Sequence, residues 1–202
     1  MSTPLLTFYL DKKEAFKRPR YSGWQNTPAG WSDEQLEVMT LTGQFDTGYG
    51  IVCRDLIVVD VDARNGGVES LSELLADIPE IAGSGLVVET GSGGGSKHYY
   101  FKAPAGVSFV QSVTKYKGID FKSSGFTVGP GSMHSSGKPY TVLTGSADDI
   151  DDAPDALVDL LCRPEYHRTT HNGAVMDVTH ADLADMLAHV DPDTDHETWV
   201  RC

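Results

Sequence analysis

One stretch constrains this chain more than any other: Leu56-Ile57-Val58-Val59-Asp60-Val61-Asp62. Its consecutive apolar residues require a buried strand. Side chains alternate along a strand, so Asp60 and Asp62 share one face while Val59 and Val61 point into the core. Two carboxylates side by side at the end of a buried strand repel by about 1 kcal/mol or more, even under strong screening. Folding alone gives no reason to put them there. A divalent cation removes the repulsion, because hard cations take several oxygen ligands. A pair of solvated surface acids at a strand end is the bland alternative, and an isolated Asp-x-Asp does not exclude it.

A two-metal phosphoryl-transfer site also needs a third carboxylate and something to hold phosphates. Asp120, in Gly118-Ile119-Asp120-Phe121, is the candidate third acid. As a strand, this segment turns Ile119 and Phe121 to the core and Asp120 to a cleft. The phosphate holder is suggested by Gly91-Ser92-Gly93-Gly94-Gly95-Ser96-Lys97-His98. Glycines let backbone amides approach an anion closely. Ser96 and His98 are two apart and face one side, and Lys97 and Lys102 add positive charge. Taken singly, Asp120 reads equally well as a solvated edge residue, and the glycine loop as a floppy hairpin ahead of a core histidine.

The rest of the pattern is α+β. LTFYLD is a first or edge strand, and Ser32 caps a helix carrying Leu36, Val38 and Met39. GIVC and LIVVDVD flank Arg54-Asp55 and read as a hairpin. Val68, Leu71, Leu74, Leu75 and Ile78 define one helical face. GLVVETGS is a strand. In KHYYFKA, alternation sets His98, Tyr100 and Lys102 on one face and Tyr99 and Phe101 on the other. Two short strands surround Ser123-Ser124-Gly125, HSSGKPYTVL is a hairpin tip entering a strand, and Leu157, Leu160 and Leu161 mark a closing helix behind Pro154. Interspersed hairpin strands and helices favour mixed or antiparallel sheets over a doubly wound parallel one.

Charge is unevenly placed on a chain whose net charge is −13. Residues 1–30 carry +3, residues 31–145 carry −5 and residues 146–202 carry −11. A uniformly acidic protein binds nucleic acid poorly, but residues 95–130 hold Lys97, Lys102, Lys115, Lys117 and Lys122 against Asp120 alone. The acidic end also keeps the chain soluble. Cys53, Cys162 and Cys202 are far apart and odd in number, which excludes a disulfide scaffold or a four-cysteine zinc site. No apolar run is long enough to span a bilayer, and the N-terminus lacks a signal-peptide core. The expectation is a reduced, cytoplasmic protein with no membrane partner.

Three segments, LIVVDVDARNGG, VVETGSGGGSKHYYFKAP and YKGIDFKSSGFTVGPGSMHSSGKPY, together resemble the catalytic domain of bifunctional DNA primase-polymerases. These prim-pol proteins belong to the archaeo-eukaryotic primase superfamily and occur in phages and plasmids. The family's acid-x-acid strand is matched by Asp60 and Asp62, its Ser-x-His element by Ser96 and His98, and its later single acid by Asp120. Gly129 to His134, running on to Tyr140, resembles the Pro-Ser-x-His segment, and Lys17-Arg18-Pro19 with Trp24 resembles an N-terminal basic-Pro and Trp pattern. The resemblance covers roughly residues 5–145.

It implies a primase-like α+β core with a central active-site cleft, at residues 1–165. A linker would follow at 166–177, and the start of a C-terminal helical primase module at 178–202. It implies template-directed nucleotidyl transfer, with Asp60, Asp62 and Asp120 holding two Mg²⁺ or Mn²⁺ ions and His98 beside them. Ser96, Lys97, His98, Ser132 and His134 would bind the nucleotide, and the Lys115–Lys122 group would either touch template phosphate or form a solvated face. The implied partners are a dNTP or NTP, a single-stranded DNA template with its primer, and a helicase domain downstream in the full-length protein. The setting would be phage or plasmid replication, in the host cytoplasm if phage-encoded. A sugar gate in such sites is often aromatic, with Tyr99, Tyr100, Tyr116 and Phe121 as candidates. Two other classes stay open: a DxD nucleotide-sugar transferase, and a non-catalytic replication-initiator module that binds DNA or nucleotide. His167 and His171 are four apart, but Thr169-Thr170 and Asn172-Gly173 argue against a helix and so against a histidine-metal nuclease.

Overall fold

In a computed structural model, residues 7–11, 18–19, 22–26 and 48–162 are described, all within the unit Met1–Pro164. The expected Ser32 helix, the 166–177 linker, the helical segment after it and the His167–His171 pair lie outside these residues.

Among the described residues, nine strands form two sheets. The first has the order β2 (Arg18–Pro19), β1 (Thr7–Asp11), β3 (Tyr49–Val52), β8 (Phe126–Val128). The second has the order β7 (Ile119–Lys122), β4 (Leu56–Val61), β6 (Lys97–Lys102), β5 (Leu86–Glu89), β9 (Thr141–Gly145). Every strand pair is antiparallel. The fold is α+β, as the interspersed hairpins and helices predict.

The expected β3–β4 hairpin does not form. Leu56 N donates to Cys53 O across a tight turn, but the strands on either side belong to different sheets. The chain crosses again at Ser123–Gly125, between β7 and β8, and Cys53 N donates to Gly125 O at 3.0 Å, joining the two crossings. The physical reason lies in β4 itself, which is buried on both faces. Ile57, Val59 and Val61 pack beneath the second sheet with Leu71 and Leu74 of the helix Gly67–Asp77 and with Leu157 and Leu161 of the helix Asp155–Leu161. Leu56 and Val58 pack on the other face with Ile51, Val88, Tyr100 and Val128, filling the space between the sheets. A strand with two apolar faces is a central strand, not one arm of a hairpin with a solvated side.

The central helix keeps Leu71, Leu74 and Ile78 buried, but Val68 is exposed. Its place in the inward row is taken by Ser70, whose Oγ donates to Lys117 O at 2.7 Å. Among the described residues, no helix is long and apolar enough to cross a membrane.

Candidate functional site

Register builds the site. Asp60 is paired directly with His98 of β6 on one side and with Asp120 of β7 on the other. Directly opposed residues in antiparallel strands share a face, with Cβ atoms about 4.5–5.5 Å apart. His98, Asp60 and Asp120 therefore form one row across three strands. Asp60 continues the face of Leu56 and Val58, so the row begins where the inter-sheet core ends. Together with Asp62, Arg64, Thr90, Ser92, Ser96, His134 and Tyr140 it lines a cleft of about 120 Å³.

The row carries its own counter-charge. His98 Nε2 lies 3.3 Å from Asp60 Oδ1. Lys122 Nζ lies 3.4 Å from Asp60 Oδ2 and 3.8 Å from Asp120 Oδ2. Burial pushes the Asp60 carboxyl up, but the hydrogen bond and charge of His98 and the charge of Lys122 outweigh it and hold the group below its ordinary value. The side chain of Asp120 is 64% exposed and that of Asp60 24%.

Asp62 directly follows the strand and caps the 3₁₀ turn Ala63–Asn65. Its Oδ1 accepts from Arg64 N at 3.0 Å and Arg64 Nε at 3.1 Å. Its Oδ2 accepts from Arg64 Nη2 at 3.1 Å and Asn65 Nδ2 at 2.9 Å. The Arg64 fork thus holds this carboxyl below its usual range. The backbone is fixed as well, since Asp62 N donates to Gly118 O at 2.8 Å and Gly67 N donates to Asp62 O at 3.0 Å. A Cβ on Gly67 would sit 2.5 Å from Gly118 O and 2.7 Å from Asp62 O. Only glycine permits this approach.

Behind the row runs a buried polar chain. His98 Nδ1 lies 3.2 Å from Tyr100 Oη, which lies 3.2 Å from Thr127 Oγ1 on the first sheet. Burial pushes the Tyr100 phenol far up, so it stays protonated and can donate. His98 is only 4% exposed, yet its other nitrogen faces the cleft. Tyr140 stands between two imidazoles, its ring centroid 5.9 Å from His98 and 6.0 Å from His134. Burial and the nearby Asp60 push its hydroxyl up to about 12. His134 Nδ1 accepts from Ser136 N at 3.1 Å, which leaves the proton on Nε2.

The sequence-predicted residues thus divide. Asp60, Asp62, Asp120, Ser96, His98 and His134 line one opening. Ser96 is buried, and its Oγ accepts from Ala63 N at 3.0 Å, tying the glycine loop to the end of β4. Gly91 lets the 133–139 tip lie directly on that loop, since a Cβ there would meet His134 Cβ at 2.3 Å. Lys97 is paired with Val61 and Glu89, so alternation turns it away from His98 to the opposite face. Lys102 lies at the far end of the strand, opposite Leu56. Ser132 is buried, with its Oγ accepting from Tyr49 N at 3.0 Å, and it does not line the cleft. The Lys115–Lys122 group splits: Lys115 Nζ binds Asp77 at 2.6 Å, while Lys122 Nζ reaches Asp60 and Asp120 of the row. Tyr99, Tyr100, Tyr116 and Phe121 are all buried, and the aromatic side chain lining the cleft is Tyr140. Sequence reasoning missed Arg64 and Tyr140 as site residues. Arg64, two residues beyond the acid pair, carried a readable signal, whereas Tyr140 reaches the site through a long-range fold contact.

Three carboxylates beside an imidazole are the hard-donor set that Mg²⁺ or Mn²⁺ takes, so these residues fit such ions in kind and in face. As they stand, no three acidic, histidine or cysteine side chains among the described residues are arranged to hold one ion. The acids are turned to Lys122, His98 and Arg64 instead.

Two antiparallel-rich sheets with few helices, carrying an acid–imidazole row at a central strand, define a primase-like catalytic core. The family model for the N-terminal domain of bifunctional DNA primase/polymerases matches residues 3–156, and the chain belongs to that family. No curated protein matches it.

Proposed function

We propose that this domain performs template-directed nucleotidyl transfer in phage or plasmid replication. A 3′-hydroxyl oxygen would bond to the α-phosphorus of a dNTP or NTP, the α–β phosphoanhydride bond would break, and pyrophosphate would leave. Asp60, Asp62 and Asp120 are the residues that would hold two Mg²⁺ or Mn²⁺ ions, which would supply Lewis-acid activation of the hydroxyl and neutralise phosphate charge. His98, steadied from behind by Tyr100, and Ser96 would grip the triphosphate. His134 Nε2–H is a further donor at the same opening, and the Tyr140 ring offers a surface for sugar or base. Lys97 and Ser132 would act only indirectly, by supporting the strand and the loop that carry these groups. Template and primer would be single-stranded DNA and its annealed strand, with a helicase further along the full-length chain.

The observation that carries this reading is the His98–Asp60–Asp120 row, with Asp62 on the same face, in a chain of the primase/polymerase family. Primer extension with labelled dNTPs on a primed single strand tests it. Asp60→Ala or Asp62→Ala is expected to lower extension by about a thousandfold or more, with the fold intact by circular dichroism. Extension at wild-type level by both variants would overturn it. Transfer from nucleotide-sugars instead of dNTPs would favour the transferase class, and nucleotide binding unaffected by metal would favour a non-catalytic module.

A further inference from the structure

Both oxygens of Asp62 are saturated, receiving four hydrogen bonds from Arg64 and Asn65. Both oxygens of Asp60 face a donor, His98 on one side and Lys122 on the other, and Lys122 also reaches Asp120. Most of the oxygens a divalent ion would need are thus already engaged, and Arg64 and Lys122 are the two side-chain cations among their partners. Each cation sits two residues along the chain from one of the acids it neutralises, so displacing it moves it only a short way from that acid. Arg64 itself lines that cleft.

We infer that Arg64 and Lys122 are resident counter-ions that make metal binding conditional on the triphosphate. This deepens the nucleotidyl-transfer reading and rests on it. A metal ion arriving alone must strip Arg64 or Lys122 from a carboxylate and leave that cation unpaired beside a second positive charge. A metal arriving with a triphosphate meets no such penalty. The carboxylates exchange ammonium and guanidinium for the divalent ion, and the freed cations exchange carboxylate for phosphate oxygens. Arg64, with a planar fork already used in bidentate fashion on Asp62, suits a phosphate equally well. The exchange conserves local charge, so metal and nucleotide bind with positive coupling, and coupling between two ligands is reciprocal.

The test is Mn²⁺ binding followed by electron paramagnetic resonance, alone and with a non-hydrolysable α,β-methylene dNTP, on wild type, Arg64→Gln and Lys122→Gln. In wild type, the dNTP analogue is expected to tighten Mn²⁺ binding by about tenfold or more, within the usual range of coupling between ligands. In each variant, Mn²⁺ alone is expected to bind about threefold to tenfold more tightly than in wild type, because an ion-pair competitor is gone. The gain from the nucleotide should shrink by a similar factor. Improved metal binding combined with weaker coupling is a result that mere structural damage would not produce. Arg64 is exposed and its replacement spares the core, and a thermal melt reports whether Lys122→Gln stays folded. Mn²⁺ affinity that is unchanged or weaker in a folded Arg64→Gln protein overturns the inference while leaving the nucleotidyl-transfer reading standing. Failure of wild type and both variants to take up Mn²⁺ under any condition removes the metal reading, and this inference with it.

Discussion

Replacing Tyr100 by Phe deletes one oxygen at a fully buried position. That oxygen bridges His98 Nδ1 and Thr127 Oγ1, at 3.2 Å each. Each bond contributes about 0.5–1.5 kcal/mol net, and both are long, so the lower half of that range applies to each. Leaving the buried His98 Nδ1 without its partner places the total toward the upper end of what the two bonds give. The expected destabilisation is about 1–2 kcal/mol, which for a domain of this size lowers the melting temperature by about 2–8 °C. Thr127→Val removes only the outer bond and should cost about 0.5–1 kcal/mol. Chemical denaturation gives these energies. Long-range ¹⁵N–¹H spectra of the imidazoles report the second effect. The Asp60 carboxylate can only accept at Nε2, so a neutral ring that keeps its proton there presents Nδ1 as an acceptor to the Tyr100 phenol. In Tyr100→Phe that preference should relax to a mixture of tautomers, and the triphosphate KM should rise even though the residue does not line the cleft. A Tyr100→Phe protein with wild-type unfolding energy and an unchanged His98 spectrum would refute the whole chain of reasoning, from the buried bridge to the oriented ring.

Other expectations follow from particular contacts. Asp60 and Asp62 are both held below their ordinary carboxylate values, so their stabilisation is complete above about pH 4 and is lost as pH falls further. Urea midpoints should drop as pH falls from about 4 toward about 2, and Asp60→Asn should flatten that acid limb. Gly67→Ala drives a methyl to 2.5 Å from Gly118 O and should cost about 2–3 kcal/mol while displacing Asp62. Gly83→Ala, where a Cβ meets nothing within 4 Å, should stay within about 0.5 kcal/mol of wild type in the same denaturation assay. Tyr140→Phe should preserve dNTP affinity and Tyr140→Ala should weaken it about tenfold, since base or sugar stacking is worth about 1–3 kcal/mol. Equal loss in both would assign the effect to the hydroxyl instead of the ring.

Much of the local structure was legible because it is local. The alternation in KHYYFKA sorts Tyr99 and Phe101 from His98 and Tyr100, and Tyr99 and Phe101 do fall into one core cluster while Tyr100 falls into the other. The Leu157 and Leu161 spacing likewise marks the closing helix. The β3–β4 connection was misread because a tight turn fixes the chain's direction but not the sheet in which each arm finds its partner. That choice was made by apolar residues on both faces of β4, which pair with strands far along the chain. Val68 was misassigned because helical spacing alone does not say that Ser70 would find a buried carbonyl. At the site, the faces of Asp60, Asp120 and His98 could be read from alternation. Their direct opposition could not, since register is a relation between strands. The same limit hid Tyr140, which reaches the cleft only through the hairpin tip lying on Gly91.

The row across β6, β4 and β7 has a consequence for how the domain can be dissected. Its members come from three separate strands and meet only through pairing over long sequence separations, so loop-closure entropy must be overcome before any two of them become neighbours. A peptide bearing the Asp-x-Asp segment would therefore be chemically inert, and so would a half-domain ending before Ile119. The smallest working unit must carry all three strands, and a nascent chain acquires its chemistry only in the final stage of its collapse.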